Sequence, residues 1–97
     1  MDPFLRGTIE RHVETILAGD VLTSASEMFK KGLAPAVKNL EEALFGYVAG
    51  RLIEFSFLVI QAEYYRSPTH EELDEIDFIL KRRAIEIKSK VTFVANR

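Results

Sequence analysis

The side chains that most often carry chemistry are few in this chain, and they are scattered. There are two histidines, His12 and His70, and no cysteine. Neither histidine has a second histidine at helical spacing, and the positions three and four residues from His12 hold threonine or isoleucine, which are poor metal ligands. The absence of cysteine excludes disulfides, thiolate catalysis and cysteine-based metal sites. We therefore predict no cofactor and no metal, and we expect both histidines to be solvated surface residues.

Glu54 is the acidic residue with the most apolar sequence neighbours, because it lies between Ile53 and Phe55. A buried carboxylate needs a partner or a raised pKa, and such groups are frequent at functional sites. Arg51 precedes Glu54 by three residues, so a salt bridge or a solvent-exposed carboxylate is the simpler interpretation. A metal or ligand carboxylate is the alternative, but the E-x-x-H motif of diiron bundles is absent around Glu54.

Arg6 and His12 are separated by five residues, an R-x5-H spacing. This spacing resembles the Arg/His signature of the HEPN family, helical domains of which some are dimeric RNases. The resemblance implies that Arg6 would hold a phosphate and that His12 would act on a ribose 2′-OH. It covers seven residues and lies in the first predicted helix, whereas the signature of the family lies late in the bundle. We favour two ordinary surface residues and predict that the protein is not an enzyme.

A basic cluster lies near the end of the chain. It consists of Lys81, Arg82, Arg83, Lys88 and Lys90, with Phe93 and Arg97 nearby. Two such clusters in a dimer would be able to bind phosphates. Basic residues late in a helix also complement the helix dipole, and the net charge of −2 gives no global attraction to nucleic acid. A small nucleic-acid-binding or regulatory protein that uses this cluster is therefore the alternative function.

The elements that must position these groups are predicted to be helices. Asp2 and Pro3 are typical of a helix start, and Gly19 of a helix end. A second helix should follow from Asp20 to Gly32. Ser67 and Pro68 then break the chain, and a T-x-x-E capping box over residues 69–72 predicts the start of the last helix.

The longest uninterrupted and most apolar segment runs from Pro35 to Tyr65. At 100° per residue its apolar side chains fall on two nearly opposite faces, and a helix that is apolar on two sides must be covered twice. The first face should receive the first two helices. A rod of 31 residues would be roughly 46 Å long, beyond the roughly 30–35 Å diameter of a compact domain of this size. The sequence therefore predicts a second chain on the second face.

Two segments also fit a different fold. Residues 52–62 are rich in β-branched and aromatic residues, and apolar and charged residues alternate over much of 84–94. The sequence predicts an all-α bundle of about four helices around one long central helix. An α+β fold with strands in these two segments is the alternative.

The complete prediction is a single helical domain over residues 1–97 that acts as a non-enzymatic homo-oligomer, most simply a dimer, in an interaction or scaffolding role. Its partners are expected to be a second copy and, beyond that, another protein. The predicted dimer interface is Gly46, Gly50, Ile53, Phe57, Ile60 and Tyr64. Uncharged runs reach only eight residues, where a membrane span needs about twenty, and no signal peptide is evident, so we expect a cytoplasmic protein without a membrane partner.

Overall fold

The computed structural model describes residues 1–97, which form four α-helices and no strand. The helices hold 81% of the residues. Their bounds are α1 Pro3–Ala18, α2 Val21–Gly32, α3 Leu40–Tyr64 and α4 His70–Ala95. The predicted all-α bundle is thereby confirmed. Segments 52–62 and 84–94, for which strands were the alternative, lie inside α3 and α4.

The central helix α3 begins five residues later than the sequence predicts. Its N-cap is Asn39, whose side-chain oxygen accepts a hydrogen bond from the backbone N–H of Glu42 at 3.0 Å. An asparagine side chain can satisfy one of the free N–H groups at a helix start, which Pro35 cannot do, and the cap therefore sets the boundary. At the other end Tyr65 takes a left-handed conformation with φ of 56° and ends the helix.

Helices α3 and α4 form an antiparallel hairpin along the whole molecule. Side chains of Thr92 and Asn96, near the end of α4, donate to the Glu41 carboxylate at the start of α3. With 25 and 26 residues, the two helices are about 37 and 39 Å long, and the molecule measures 40 × 22 × 20 Å. The prediction that the central helix would extend beyond its own domain is therefore wrong, because α4 is equally long and lies beside it.

The turn between α3 and α4 is fixed by hydrogen bonds around Glu72. The predicted capping box is formed: the Thr69 hydroxyl accepts from the Glu72 N–H, and the Glu72 carboxylate accepts from the Thr69 N–H at 2.9 Å. Arg66 also donates to both Glu72 oxygens, at 2.7 and 3.1 Å. The Arg66 hydrogen bonds and the Thr69 N–H lower the pKa of Glu72 to about 2.

Helices α1 and α2 cover one side of the hairpin and leave the other side bare. Near the turn, Leu5 and Ile9 of α1 pack in a cluster with Ile60, Ile76 and Ile79. Toward the other end, a larger cluster joins all four helices; its buried members are Val13, Ile16, Leu17, Leu22, Ala25, Leu44, Val48, Leu52, Ile87, Val91 and Val94. The core therefore lies between the hairpin and its two-helix cover, as the sequence predicts for the first face of α3.

Candidate functional site

The buried residues of α3 follow a line that winds around the helix. They are Leu44, Val48, Leu52, Ser56 and Ile60, spaced four residues apart throughout. Each step of four residues advances about 400°, so the line turns by about 40° per step and by about 160° from its first residue to its last. Rows at this spacing are the ridges along which packed helices interdigitate. The core therefore starts on the first predicted face and ends on the second.

The part of the second face that stays uncovered consists of Gly46, Gly50, Ile53 and Phe57, which we call the outer strip. Ile53 is 41% exposed and Phe57 is 39% exposed. A Cβ atom built on either glycine would have no atom within 4 Å. Glycine inside a helix costs about 1 kcal/mol relative to alanine, and nothing within the single chain requires it at these two positions. The outer strip is thus an apolar surface with two shallow gaps.

Of the other two residues of the predicted interface, Ile60 is buried and Tyr64 is 37% exposed. Ile60 is fully buried in the cluster near the turn, because the winding core line has reached its side of α3 there, so its placement on an exposed interface is corrected. The Tyr64 hydroxyl donates to the Asp2 carboxylate at 2.8 Å, and this contact ties the start of α1 to the end of α3. It lowers the pKa of Asp2 and raises the pKa of Tyr64.

Helix α4 extends the uncovered side beyond α3. Its exposed stripe, which we call the outer face of α4, holds Asp74, Asp77, Lys81, Ile85 and Lys88. Ile85 is 86% exposed and is not among the residues of the predicted dimer interface. The sequence pattern indicates this exposure, because Ile85 falls outside the i, i+3, i+4 stripe formed by the core residues of α4.

A cavity of about 380 Å³ lies between the start of α3 and the second half of α4. Gly46 and Lys88 line it together, so the outer strip and the outer face of α4 belong to one side of the hairpin. Its apolar lining comes from Phe45 and Val91, and its remaining lining residues are Asn39, Glu41 and Glu42.

Three residues of the basic cluster form salt bridges within the chain. Arg83, whose side chain is 11% exposed, donates to Glu86 at 2.7 Å, to Glu10 at 2.9 Å and to Glu14. Arg82 also binds Glu10, at 2.5 Å, and Lys81 binds Asp77 at 2.9 Å. The hydrogen bonds from Arg83 to its three glutamates raise the pKa of Arg83 further above its ordinary value, and the bond to Glu86 contributes most.

The two arginines at the centre of the predicted nucleic-acid surface therefore hold α1 against α4. Of the five predicted residues, only Lys88 and Lys90 make no salt bridge, and Lys90 lies against the Phe93 ring at 5.5 Å. Two of the three glutamates that bind the arginines, Glu10 and Glu14, lie in α1, about 70 residues away in sequence, which is why their pairing was not visible in the spacing of the basic residues.

Arg6 and His12, the pair with the HEPN-like spacing, contact different neighbours. Arg6 donates to Glu75 of α4 at 2.6 Å, whereas the His12 ring stacks on Phe55 of α3 with centroids 3.8 Å apart. His12 is half-buried rather than fully solvated, and its burial, with the positive charge of Arg51, lowers its pKa. The two side chains therefore do not face a common phosphate.

Glu54 is exposed and makes no salt bridge with Arg51, which instead donates to the Tyr47 hydroxyl at 3.3 Å. His70 is exposed in the first turn of α4. No group of three or more histidine, aspartate or glutamate side chains is arranged to hold a metal ion.

No family model matches the chain, and neither the curated proteins nor the solved structures include a significant match. By length and composition alone, α3 is apolar enough to cross a membrane, and 28% of its most apolar window is buried inside the bundle. The core helix of a water-soluble protein passes the same test, so this feature distinguishes weakly between a protein partner and lipid. Both occupants of the bare side can be tested by experiment.

Proposed function

We propose that this protein is a non-enzymatic helical interaction module that forms a homodimer through the outer strip of α3. The observation that carries the proposal is the pair of exposed large side chains, Ile53 and Phe57, next to two glycines with open space above them. An apolar patch of this kind on a folded chain is typical of an interaction site. Closed two-fold pairs are the most frequent assemblies of a single chain type.

The size of the uncovered side agrees with a dimer. The molecule is 40 Å long and 20–22 Å wide, so one side offers on the order of 800 Å², the area that each partner buries in a standard interface. Ile53 and Phe57 are already more than half covered, so a partner would remove the remaining exposure, worth roughly 1 kcal/mol for each side chain. Ile85 adds a third apolar contact on the same side.

The experiment is sedimentation equilibrium at micromolar concentration, with a matched pair of variants. Phe57→Glu places a charge on the outer strip and should convert the dimer into folded monomers. Leu58→Glu is the control, because Leu58 is 55% exposed on the same helix but lies outside the strip. Helical content measured by circular dichroism should be retained in both variants.

Two results would contradict the proposal. One is a wild-type chain that sediments as a monomer at micromolar concentration. The other is a monomer that floats with vesicles of neutral phospholipid, which would make lipid the occupant of the bare side. Equal loss of dimer in both variants would show that the contact is not confined to the outer strip.

Nucleic acid is not proposed as a second ligand. Arg82 and Arg83, which would supply most of the phosphate contacts, already neutralise Glu10, Glu14 and Glu86. Phosphate binding would have to break these pairs. Retention of a short DNA or RNA at low salt, lost in an Arg82→Glu, Arg83→Glu variant that keeps its fold, would revive that function.

A further inference from the structure

Small and large residues have a symmetric order along the outer strip. Gly46 and Gly50 are four residues apart, and so are Ile53 and Phe57. The point midway between residues 51 and 52 is equally distant from Gly50 and Ile53, and also from Gly46 and Phe57. A two-fold axis through this point that makes two α3 helices antiparallel would bring each glycine opposite a large side chain of the other protomer.

We infer that two copies of this chain pair with antiparallel α3 helices about this axis, an inference that rests on the proposed dimer and specifies its geometry. The partner's Phe57 then lies over Gly46, and the partner's Ile53 lies over Gly50. Both glycines have the open space that this requires, since nothing lies within 4 Å of the position of a Cβ atom. Glycines at the crossing allow the helix axes to approach to about 8 Å.

The cavity beside Gly46 provides a place for the partner's Phe57. It lies on the same side of the hairpin as the outer strip, and it offers the apolar surfaces of Phe45 and Val91. The same two-fold axis fills both cavities of the dimer, one in each protomer. A parallel pairing would instead place glycine over glycine and leave both cavities without an aromatic ring.

The charges on the outer face of α4 fit the same axis. Glu41 binds Thr92 and Asn96, and the antiparallel register therefore sets the middle of the outer strip beside about residues 82–85 of α4. Rotation about the axis brings Asp77 of one protomer near the partner's Lys88. A parallel pairing through the outer strips would place the two α4 helices on opposite sides of the dimer and would lose this contact.

The chain contains no cysteine, so a single introduced cysteine reports the geometry without a background. In the antiparallel pair the two copies of residue 50 lie three residues apart along the axis, which gives a Cα–Cα distance of about 5–6 Å, within the range of a disulfide. The two copies of residue 46 lie eleven residues apart, about 16 Å, which is too far. Gly50→Cys should therefore form disulfide-linked dimers under mild oxidation, and Gly46→Cys should not.

Ser24→Cys, on the exposed surface of α2, measures linkage by random collision. The inference is supported if Gly50→Cys is linked several-fold more than this control while Gly46→Cys is linked no more than the control. Linkage of both glycine variants would indicate parallel helices and overturn it. If neither variant is linked although sedimentation shows dimers, this geometry is wrong and the proposed function stands; if the wild type is a monomer, both fail.

A second measurement covers the case in which a cysteine at residue 50 itself weakens the dimer. A spin label on Glu42→Cys, an exposed residue at the edge of the strip, should give an interprotomer distance dominated by an axial separation of about 28 Å. A parallel pair would bring the two labels close together. A short distance in a sample that sediments as a dimer would overturn the antiparallel arrangement.

Discussion

The large side chains on the two sides of α3 are similarly apolar but have very different surroundings. On the side facing α1 and α2, Leu44, Val48 and Leu52 are at most 1% exposed. On the outer strip, Ile53 and Phe57 are 41% and 39% exposed, although they are as apolar and lie on the same helix. Hydrophobic character alone therefore does not determine which residues form the core of a small bundle. The number and length of the covering helices determine it.

The cover is incomplete because only two short helices supply it. Helices α1 and α2 contain 16 and 12 residues, whereas the hairpin beneath them contains 25 and 26. In chains of this size a single core is modestly stabilising, and association is a common way to bury more apolar area. One side of α3 is therefore buried by contacts within the chain, and the other would be buried by contacts between chains in the proposed dimer.

The largest expected difference between the two sides is in the free energy of unfolding. Leu52→Ala should destabilise the fold by about 2–5 kcal/mol, because it leaves a cavity in the core, and the loss should not depend on protein concentration. Ile53→Ala removes a partly exposed side chain and should act through the dimer, so its effect should diminish as the protein is diluted. Urea unfolding at two protein concentrations measures both. Equal, concentration-independent losses would abolish the distinction between the two sides.

A second, smaller effect concerns the ties that hold the cover in place. Arg83→Met leaves Glu14 of α1 without its partner and Glu10 with Arg82 alone, and it should destabilise the protein by about 1–3 kcal/mol. Lys81→Met is the matched control, since the Lys81–Asp77 pair is solvent-exposed and should contribute much less to stability. Urea unfolding at a fixed protein concentration compares the two variants. Similar losses in both would mean that the Arg83 network contributes no more than a surface pair.

The helix ends could be predicted from the sequence because nearby capping residues mark them. Asp2 caps α1, Gly19 ends it, and the Thr69–Glu72 capping box starts α4, each as predicted. The buried residues of α1 recur at helical spacing, and they are Leu5, Ile9, Val13, Ile16 and Leu17. Such signals act over a few residues, and a single sequence contains all the groups involved.

The candidate site could be predicted only in part because it depends on contacts between distant segments. Periodicity placed Ile60 and Phe57 on one face, but side chains of α1 and α4 pack on Ile60 and bury it, whereas Phe57 stays exposed. The basic cluster had the residues of a phosphate site, but the acidic side chains of α1 neutralise its two arginines. The sequence predicts the start of the central helix at Pro35, whereas the capping side chain of Asn39 places it at Leu40.

The smallest effect that we predict concerns the turn to which both sides of the hairpin are tied. Arg66 and the Thr69 N–H lower the pKa of Glu72 from an ordinary 4.5 to about 2. A carboxyl group with a depressed pKa in the folded state stabilises the fold fully above its unfolded pKa and loses this contribution as the pH falls through the folded value. Stability should therefore decline between about pH 4.5 and 2. The change due to Glu72 should be about 1–2 kcal/mol, since Arg66 is 42% exposed and solvent weakens the pair.

Glu72→Gln isolates this contribution, because glutamine keeps the shape of the side chain and does not titrate in this range. The variant should be less stable than the wild type at pH 6, and the gap should narrow as the pH approaches 2. Glu71→Gln is the control, as Glu71 precedes it in the same helical turn, is exposed and makes no salt bridge. Because the turn joins α3 to α4, its loosening should affect core and outer strip together, so unfolding and dimer dissociation should shift in parallel at low pH. A gap between the Glu72 variant and the wild type that stays constant from pH 6 to pH 2 would show that the carboxylate charge does not hold the turn.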